Sequence, residues 1–322
     1  MDPKLEALIT RLDEKYKRSG QDILAYIEGM IYSEYVPYWD YIHLDTLLTL
    51  QKPKTDIKDE MIFIMYHQVT ELYFKMILHE IDQISERQAE KTFLIERLSR
   101  INRYFTILVD SFNVMTEGME HKQFMQFRMA LLPASGFQSA QYRKIEISST
   151  DMFNLIDKDH RSKYTQESSI EEMLASTYWR AGATMADTGE KTLTLKQFEE
   201  KYDDELFKMA NDYKGKNMWR KYMELNEEDK ADPEVIKQLR NLDTNVNVNW
   251  PLAHFRTAAR YLAKDSDGVP ATGGTNWQKY LPSRIQKRVF YPSLWSQFEL
   301  DNWGKAWVMD AIKPYQDKGN LD

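Results

Sequence analysis

The chain contains no cysteine. That absence excludes a disulfide framework, a cysteine zinc site, an iron–sulfur cluster, a thiolate-bound haem and a cysteine nucleophile. Glycine and proline are scarce, 12 and 10 in 322 residues, too few for a turn-rich β protein. Basic residues are outnumbered, 43 against 50 acidic, and the net charge of −7 lacks the basic footprint of a nucleic-acid binder. No apolar run reaches the roughly 18 residues of a membrane-spanning helix, so no membrane partner is expected. The opening Met-Asp-Pro-Lys-Leu-Glu has no basic stretch followed by an apolar one, so no secretory signal is read and a cytoplasmic location is the expectation.

What is present is ample material for a core, with 42% hydrophobic residues, and helical spacing nearly throughout. Leu5, Leu8, Ile9 and Leu12 recur at three and four residues, as do Ile23, Ile27, Met30 and Ile31. After a polar interval, Asp59-Glu60 suits a helix N-terminus through the backbone dipole. Met61 to Ile84 is apolar around its circumference, which predicts a helix buried inside a bundle. Phe93 to Met115 predicts another long helix, and Lys122 to Leu132 a shorter one ending at Pro133. Ser135 or Gly136 suits the cap of the next helix. A more polar stretch, 148–232, carries charge-rich helices near Ile170–Ala181 and Leu195–Lys214, and reads as an elaboration because no linker sets it apart. Asn245 to Asn249 interrupts the pattern, and Pro251 suits the first turn of a new helix through Leu262. Asp265 to Trp277 reads as a loop, and Ser283 to Ile312 as helix. The expectation is an all-α fold of one domain, residues 1–322, with no internal repeat.

Six histidines are the soft-metal donors that remain: His43, His67, His79, His121, His160 and His254. None follows a glutamate by three residues, as a di-iron bundle requires, and the zinc helix pattern His-Glu-x-x-His is absent. His67 and Glu71, one turn apart, could share a cation or make an ordinary hydrogen-bonded contact. His67 shares a helix face with Phe63 inside the most apolar helix, so it needs a partner or a cavity. His254 begins a helix with Ala258 and Tyr261 on its side, where small residues would let a flat cofactor approach; a core or capping histidine is the other reading. Arg128 is one charge among apolar neighbours after Phe124, and its guanidinium wants the carboxylate of a protein glutamate or of a substrate. Thr272-Gly273-Gly274-Thr275 can hold an anion on successive backbone N–H groups or serve as a turn.

Five segments together resemble the tryptophan 2,3-dioxygenase family. They are Tyr38 to Leu48, Phe63 to Lys75 with His67-Gln68 and Glu71-Leu72, Phe124 to Arg128, Pro133-Ala134-Ser135-Gly136-Phe137-Gln138-Ser139, and Trp250 to Gly274. The resemblance implies an all-helical enzyme binding haem b, a homotetramer built as a dimer of dimers. It also implies addition of both atoms of O₂ across the indole C2–C3 bond of L-tryptophan to give N-formylkynurenine, a step of tryptophan catabolism in the kynurenine pathway. By position, His254 resembles the axial ligand of the haem iron, with Trp250 and Gly136 beside the cofactor. His67 resembles the distal histidine that hydrogen-bonds the indole N–H, with Phe63 and Phe124 lining the pocket. Arg128 resembles the clamp on the substrate carboxylate, and Thr272 the group at the amino-acid end and a haem propionate. Tyr38 and Tyr41 resemble tyrosines that reach a neighbouring subunit's site, which gives residues 1–45 a role between subunits. The sequence departs from the family pattern at Tyr73, at Ala271 and at Thr275-Asn276-Trp277, and the connection from His254 to Thr272 is longer. The loop changes bear on substrate identity, so a haem enzyme acting on another indole, or a non-catalytic haem protein, are the alternatives.

Overall fold

Apolar spacing becomes helix throughout the computed structural model, which describes residues 1–131, 134–185, 188–262 and 287–304. Among the described residues, β structure is limited to two isolated bridges, Ile156 with Thr177 and Thr184 with Lys191. The chain divides into two units, Met1–Lys52 and Pro53–Asp322. No helix of the described residues is long and apolar enough to cross a membrane.

The first unit holds α1 (Pro3–Arg18), α2 (Ile23–Ile31), α3 (Tyr38–Tyr41) and α4 (Leu44–Leu47). Aspartate caps begin the two longer helices: Asp2 accepts from the Lys4 amide and Asp22 from the Leu24 amide. The rings of Tyr16 and Tyr26 lie 4.9 Å apart and join α1 to α2. Only Ile23 is buried in these four helices, and the Leu5, Leu8 and Leu12 stripe faces outward.

The second unit is built on α5 (Lys58–Ser85), α6 (Lys91–Ser111), the single turn α7 (Asn113–Thr116), α8 (His121–Phe127) and α9 (Ala140–Ser149). It continues through α10 (Ile170–Ala175), α11 (Tyr178–Gly182), α12 (Leu193–Tyr213), α13 (Met218–Met223), α14 (Glu227–Lys230), α15 (Pro233–Thr244) and α16 (Trp250–Leu262). Helix α5 packs between α6 and α9, and α15 lies along α6. One core runs from Tyr66 to Tyr291, with Phe74, Ile77, Ile81, Leu98, Ile101, Phe105 and Leu239 at its centre. The polar stretch contributes to that core through Trp179, Phe198 and Leu206.

Asp59 and Glu60 do more than complement a helix dipole. Both are buried. Glu60 accepts from the amides of Lys54 and Thr55 and from the Thr55 hydroxyl, which folds the preceding turn onto α5. Burial pushes the Glu60 carboxyl up, but these hydrogen bonds outweigh it and hold the group below the usual carboxylate range. Asp59 accepts from the Glu120 amide at 2.6 Å, while its own amide donates to Gln123. The start of α5 is thereby fixed to the start of α8.

Three expectations need correction. The helix expected over Phe93–Met115 ends at Ser111, and α7 follows as a separate turn. The interruption expected at 245–249 is a π-helical turn, Asn245–Asn249, that keeps α15 and α16 continuous. Here the Trp250 amide reaches back five residues to the Asn245 carbonyl. The next residue is Pro251, which has no N–H to offer the Val246 carbonyl. The Tyr142 hydroxyl donates to that carbonyl at 2.7 Å and replaces the missing donor. Last, Lys287 to Ser296, part of the expected helix 283–312, holds only a 3₁₀ turn, Pro292–Leu294, before the short helix Gln297–Asp301. The rest of that expected helix lies outside the described residues.

Candidate functional site

Helix α5 presents Phe63 and His67 on one face, with ring centroids 4.1 Å apart. His67 Nδ1 is 2.7 Å from the Phe63 carbonyl one turn back. A carbonyl only accepts, so Nδ1 carries the hydrogen, and the neutral ring presents a lone pair at Nε2. The residue is exposed by area. Even so, desolvation by the surrounding protein lowers its pKa, and the Phe63 carbonyl and Glu71 only partly oppose that. Glu71 is engaged elsewhere, accepting from Gln141 Nε2 at 2.9 Å. Among the described residues no group of three His, Asp or Glu can hold a metal ion.

Helix α8 brings two more aromatic rings to Phe63. Phe124 lies 6.5 Å from Phe63, and Phe127 lies 5.7 Å from Phe63 and 5.5 Å from Phe124. The helix expected to reach Leu132 tightens after Phe127 into a 3₁₀ turn, Arg128–Leu131. Arg128 opens that turn and is 4% exposed, so its guanidinium lies within the protein.

Helix α16 supplies the second histidine and packs its Tyr261 ring 4.5 Å from Phe124. The His254 ring is 5.2 Å from Phe112 and 6.1 Å from Trp250, and Phe112 in turn lies 4.6 Å from Trp250. Burial pushes the His254 pKa down to about 4, with a smaller contribution from the charge of His67. The two histidines therefore face the same region closely enough to disfavour charging both. No hydrogen bond from the described residues offsets the desolvation of His254, so its ring is neutral near pH 7. A Cβ built on Gly136 would stand 3.1 Å from His254 Cε1 and 3.4 Å from Nε2. The cap expected at Ser135 or Gly136 for the helix through Arg143 is instead Ser139, whose hydroxyl accepts from the Tyr142 amide at the start of α9, while Ser135 begins a 3₁₀ turn, Gly136–Gln138, and its amide donates to Gln138 Oε1. Around α16, the Tyr261 hydroxyl donates to the Met115 and Met119 carbonyls, and Thr257 meets Thr116 at 2.7 Å. These contacts fix the helix that carries His254 against α7.

Six of the expected site residues thus converge in the second unit: Phe63, His67, Phe124, Trp250, His254 and Gly136, with Arg128 buried beside Phe127. Tyr38 and Tyr41 sit on α3 of the first unit and are 69% and 78% exposed. Thr272 lies outside the described residues. Sequence reasoning did not single out Phe112, Phe127 or Tyr66 as site residues. Their apolar periodicity marks them as core, and nothing in spacing distinguishes core from cavity wall.

Residues 28–240 match the tryptophan 2,3-dioxygenase family. A protein named tryptophan 2,3-dioxygenase from Anaeromyxobacter dehalogenans (strain 2CP-C) is 29% identical over 267 residues, covering 82% of this chain and 96% of that protein. One of the same name from Caulobacter vibrioides is 29% identical over 276 residues, covering 80% and 96%. A third, from Ruegeria sp. (strain TM1040), is 41% identical over a shorter 119 residues, 36% of this chain and 42% of that protein. The chain belongs to the tryptophan 2,3-dioxygenase family.

Proposed function

We propose that the protein is a haem-dependent dioxygenase that opens the indole ring of L-tryptophan, yielding N-formylkynurenine. The observation that carries the reading is His254, a neutral imidazole with no hydrogen-bond partner among the described residues, set against the Phe112 and Trp250 rings and near enough to His67 to feel its charge. A lone histidine donor, with no His, Asp or Glu cluster near it among the described residues, suits an iron whose other ligands come from a macrocycle. Glycine at 136 suits the same group, because a side chain there would crowd the Nε2 side of the ring. Haem b, when bound to His254, supplies the redox chemistry that activates O₂.

The remaining work is done by the chain. The His67 Nε2 lone pair accepts the indole N–H and sets the tilt of the ring. Phe63 and Phe124 press on the indole faces and keep water out. The Arg128 guanidinium forks onto the substrate carboxylate, and Thr272 holds the amino-acid end with it. Two anchors at opposite ends of the amino acid fix C2 and C3 in one place, and that fixed placement is the contribution of the protein to the rate. His67 needs only to steer. Both oxygen atoms enter the product as the C2–C3 bond breaks, so the balance needs no external reductant.

The exposed aromatic residues of α3 and the outward apolar stripe of α1 support a second part of the reading. The first unit docks on a neighbouring copy, Tyr38 and Tyr41 reach its site, and the assembly is a homotetramer. The test is turnover under ¹⁸O₂ by the haem-loaded, reduced protein. Two labelled atoms in N-formylkynurenine support the reading, and loaded protein that leaves L-tryptophan untouched refutes it.

A further inference from the structure

We propose that Asp243 is a positioning residue, a buried clamp that ties the segment beginning at residue 287 to the π-turn leading into the helix that bears His254. Asp243 lies in the last turn of α15 and is fully buried. Four N–H groups converge on its two oxygens. Oδ1 accepts from Asn247 Nδ2 at 2.8 Å and from the Phe290 amide at 2.9 Å. Oδ2 accepts from the Tyr291 amide at 3.1 Å and from Trp295 Nε1 at 2.9 Å. Three of the four donors belong to the segment that returns after the 263–286 connection. The fourth belongs to the π-turn that leads into Trp250 and His254.

The carboxylate therefore joins two places that are far apart along the chain. From Asp243 the chain runs through the π-turn and α16, past His254, into 263–286 with Thr272. It then re-emerges and comes back to Asp243. The returning segment has its own supports. The Phe290 carbonyl accepts from Thr150 Oγ1 at 2.6 Å and from Asn154 Nδ2 at 3.1 Å. Arg288 pairs with Glu146 and meets Tyr178 in a buried cluster with Arg143. Those supports bind the segment to α9 and α11. Asp243 binds it to the helix that continues into α16, beside Arg240, which lies over the Trp295 ring and pairs with Glu299, and beside the packing of Val248 and Leu252 against Val289 and Trp303.

A plain structural contact would not need a charge here. Among the described residues Asp243 has no cationic partner, and burial pushes its carboxyl up to about 6 against the pull of the four donors. Only a carboxylate offers two acceptor oxygens to donors on both sides. An asparagine of the same shape would turn its NH₂ toward two N–H groups and leave them unpaired.

The kinetic consequence rests on the tryptophan reading above; the clamp itself does not. The experiment compares wild type, D243N and W295F as full-length, haem-loaded protein. W295F removes one donor and keeps the carboxylate, so it decides the matter if D243N does not fold. Three readouts are taken: amide exchange at Phe290 and Tyr291, the ferrous iron–histidine stretching band, and KM and kcat for L-tryptophan. The expected result for W295F is about 5- to 10-fold faster exchange at both amides, the loss of roughly one hydrogen bond. It is accompanied by a shifted or broadened iron–histidine band and a several-fold higher KM, with kcat changed less. D243N moves every readout further in the same direction. Exchange that stays at the wild-type rate overturns the clamp. Faster exchange with an unchanged iron–histidine band and unchanged KM overturns the positioning role and leaves a structural contact. If wild type binds haem but does not turn over tryptophan, the functional reading fails, while the exchange and stretching bands still judge the clamp.

Discussion

At the scale of single residues, the account depends on groups whose charge state is set by burial. His254 is the clearest case. Its ring is neutral in the folded protein down to about pH 4, whereas an unfolded histidine takes a proton below about pH 6.5. The unfolded state therefore binds more protons across that window, and stability falls as pH drops from about 6.5, levelling off below about 4. The loss amounts to about 3 kcal/mol for this group. Denaturant melts of haem-free protein at pH 7 and pH 4.5 measure it, and H254Q, which has no titrating ring there, shows a smaller difference between the two. Arg128 makes a different prediction. R128A lowers kcat/KM for L-tryptophan by about 2–5 kcal/mol, because a buried charge-assisted pair is lost. It affects an indole without the amino-acid end far less. Equal losses on both substrates would remove Arg128 from carboxylate binding.

At the scale of elements, the π-turn and the return to Asp243 bear on where the helix carrying His254 sits. The Tyr142 hydroxyl fills the gap that Pro251 leaves at the Val246 carbonyl. Y142F leaves that buried carbonyl without a donor and costs about 1–3 kcal/mol in urea unfolding, at unchanged dependence on denaturant. A cost near zero would mean that another donor takes its place. The same region shows what was legible in the sequence. Long, strongly periodic segments were read well: Met61 to Ile84 became α5 at Lys58–Ser85, and Leu195 to Lys214 became α12 at Leu193–Tyr213. The convergence of Phe63, His67, Phe124 and His254 followed from motifs whose order is held by that bundle. What was not legible depends on partners distant in sequence. Val289 to Trp295 has the apolar density of a helix, yet its amides go to Asp243 and its carbonyl at Phe290 is taken by Thr150 and Asn154. Periodicity does not report such partners. Asn245, Asn247 and Asn249 looked like a break because their side chains suit turns. In the fold, Asn245 reaches Asn102 on α6, Asn247 donates to Asp243, and Asn249 donates to Asn245, so their competing hydrogen bonds are spent inside the helix pair.

At the scale of the whole molecule, the first unit buries almost none of its apolar surface within its own helices, with Leu5, Leu8, Leu12, Tyr38, Trp39 and Tyr41 all exposed. In the proposed tetramer a neighbouring copy covers this surface. Light scattering on the eluting protein is expected to give a tetramer, and Y38S/Y41S is expected to weaken turnover more than haem binding; a monomer with full activity would contradict the shared site. The central claim, that His254 holds haem iron opposite a tryptophan pocket, is tested most directly by absorption spectra of the reduced, haem-loaded protein under oxygen, with and without L-tryptophan. The account predicts a strong Soret band that changes on adding L-tryptophan as N-formylkynurenine accumulates, and its loss in H254Q. An unaltered Soret band in H254Q, or a spectrum indifferent to L-tryptophan, would contradict it.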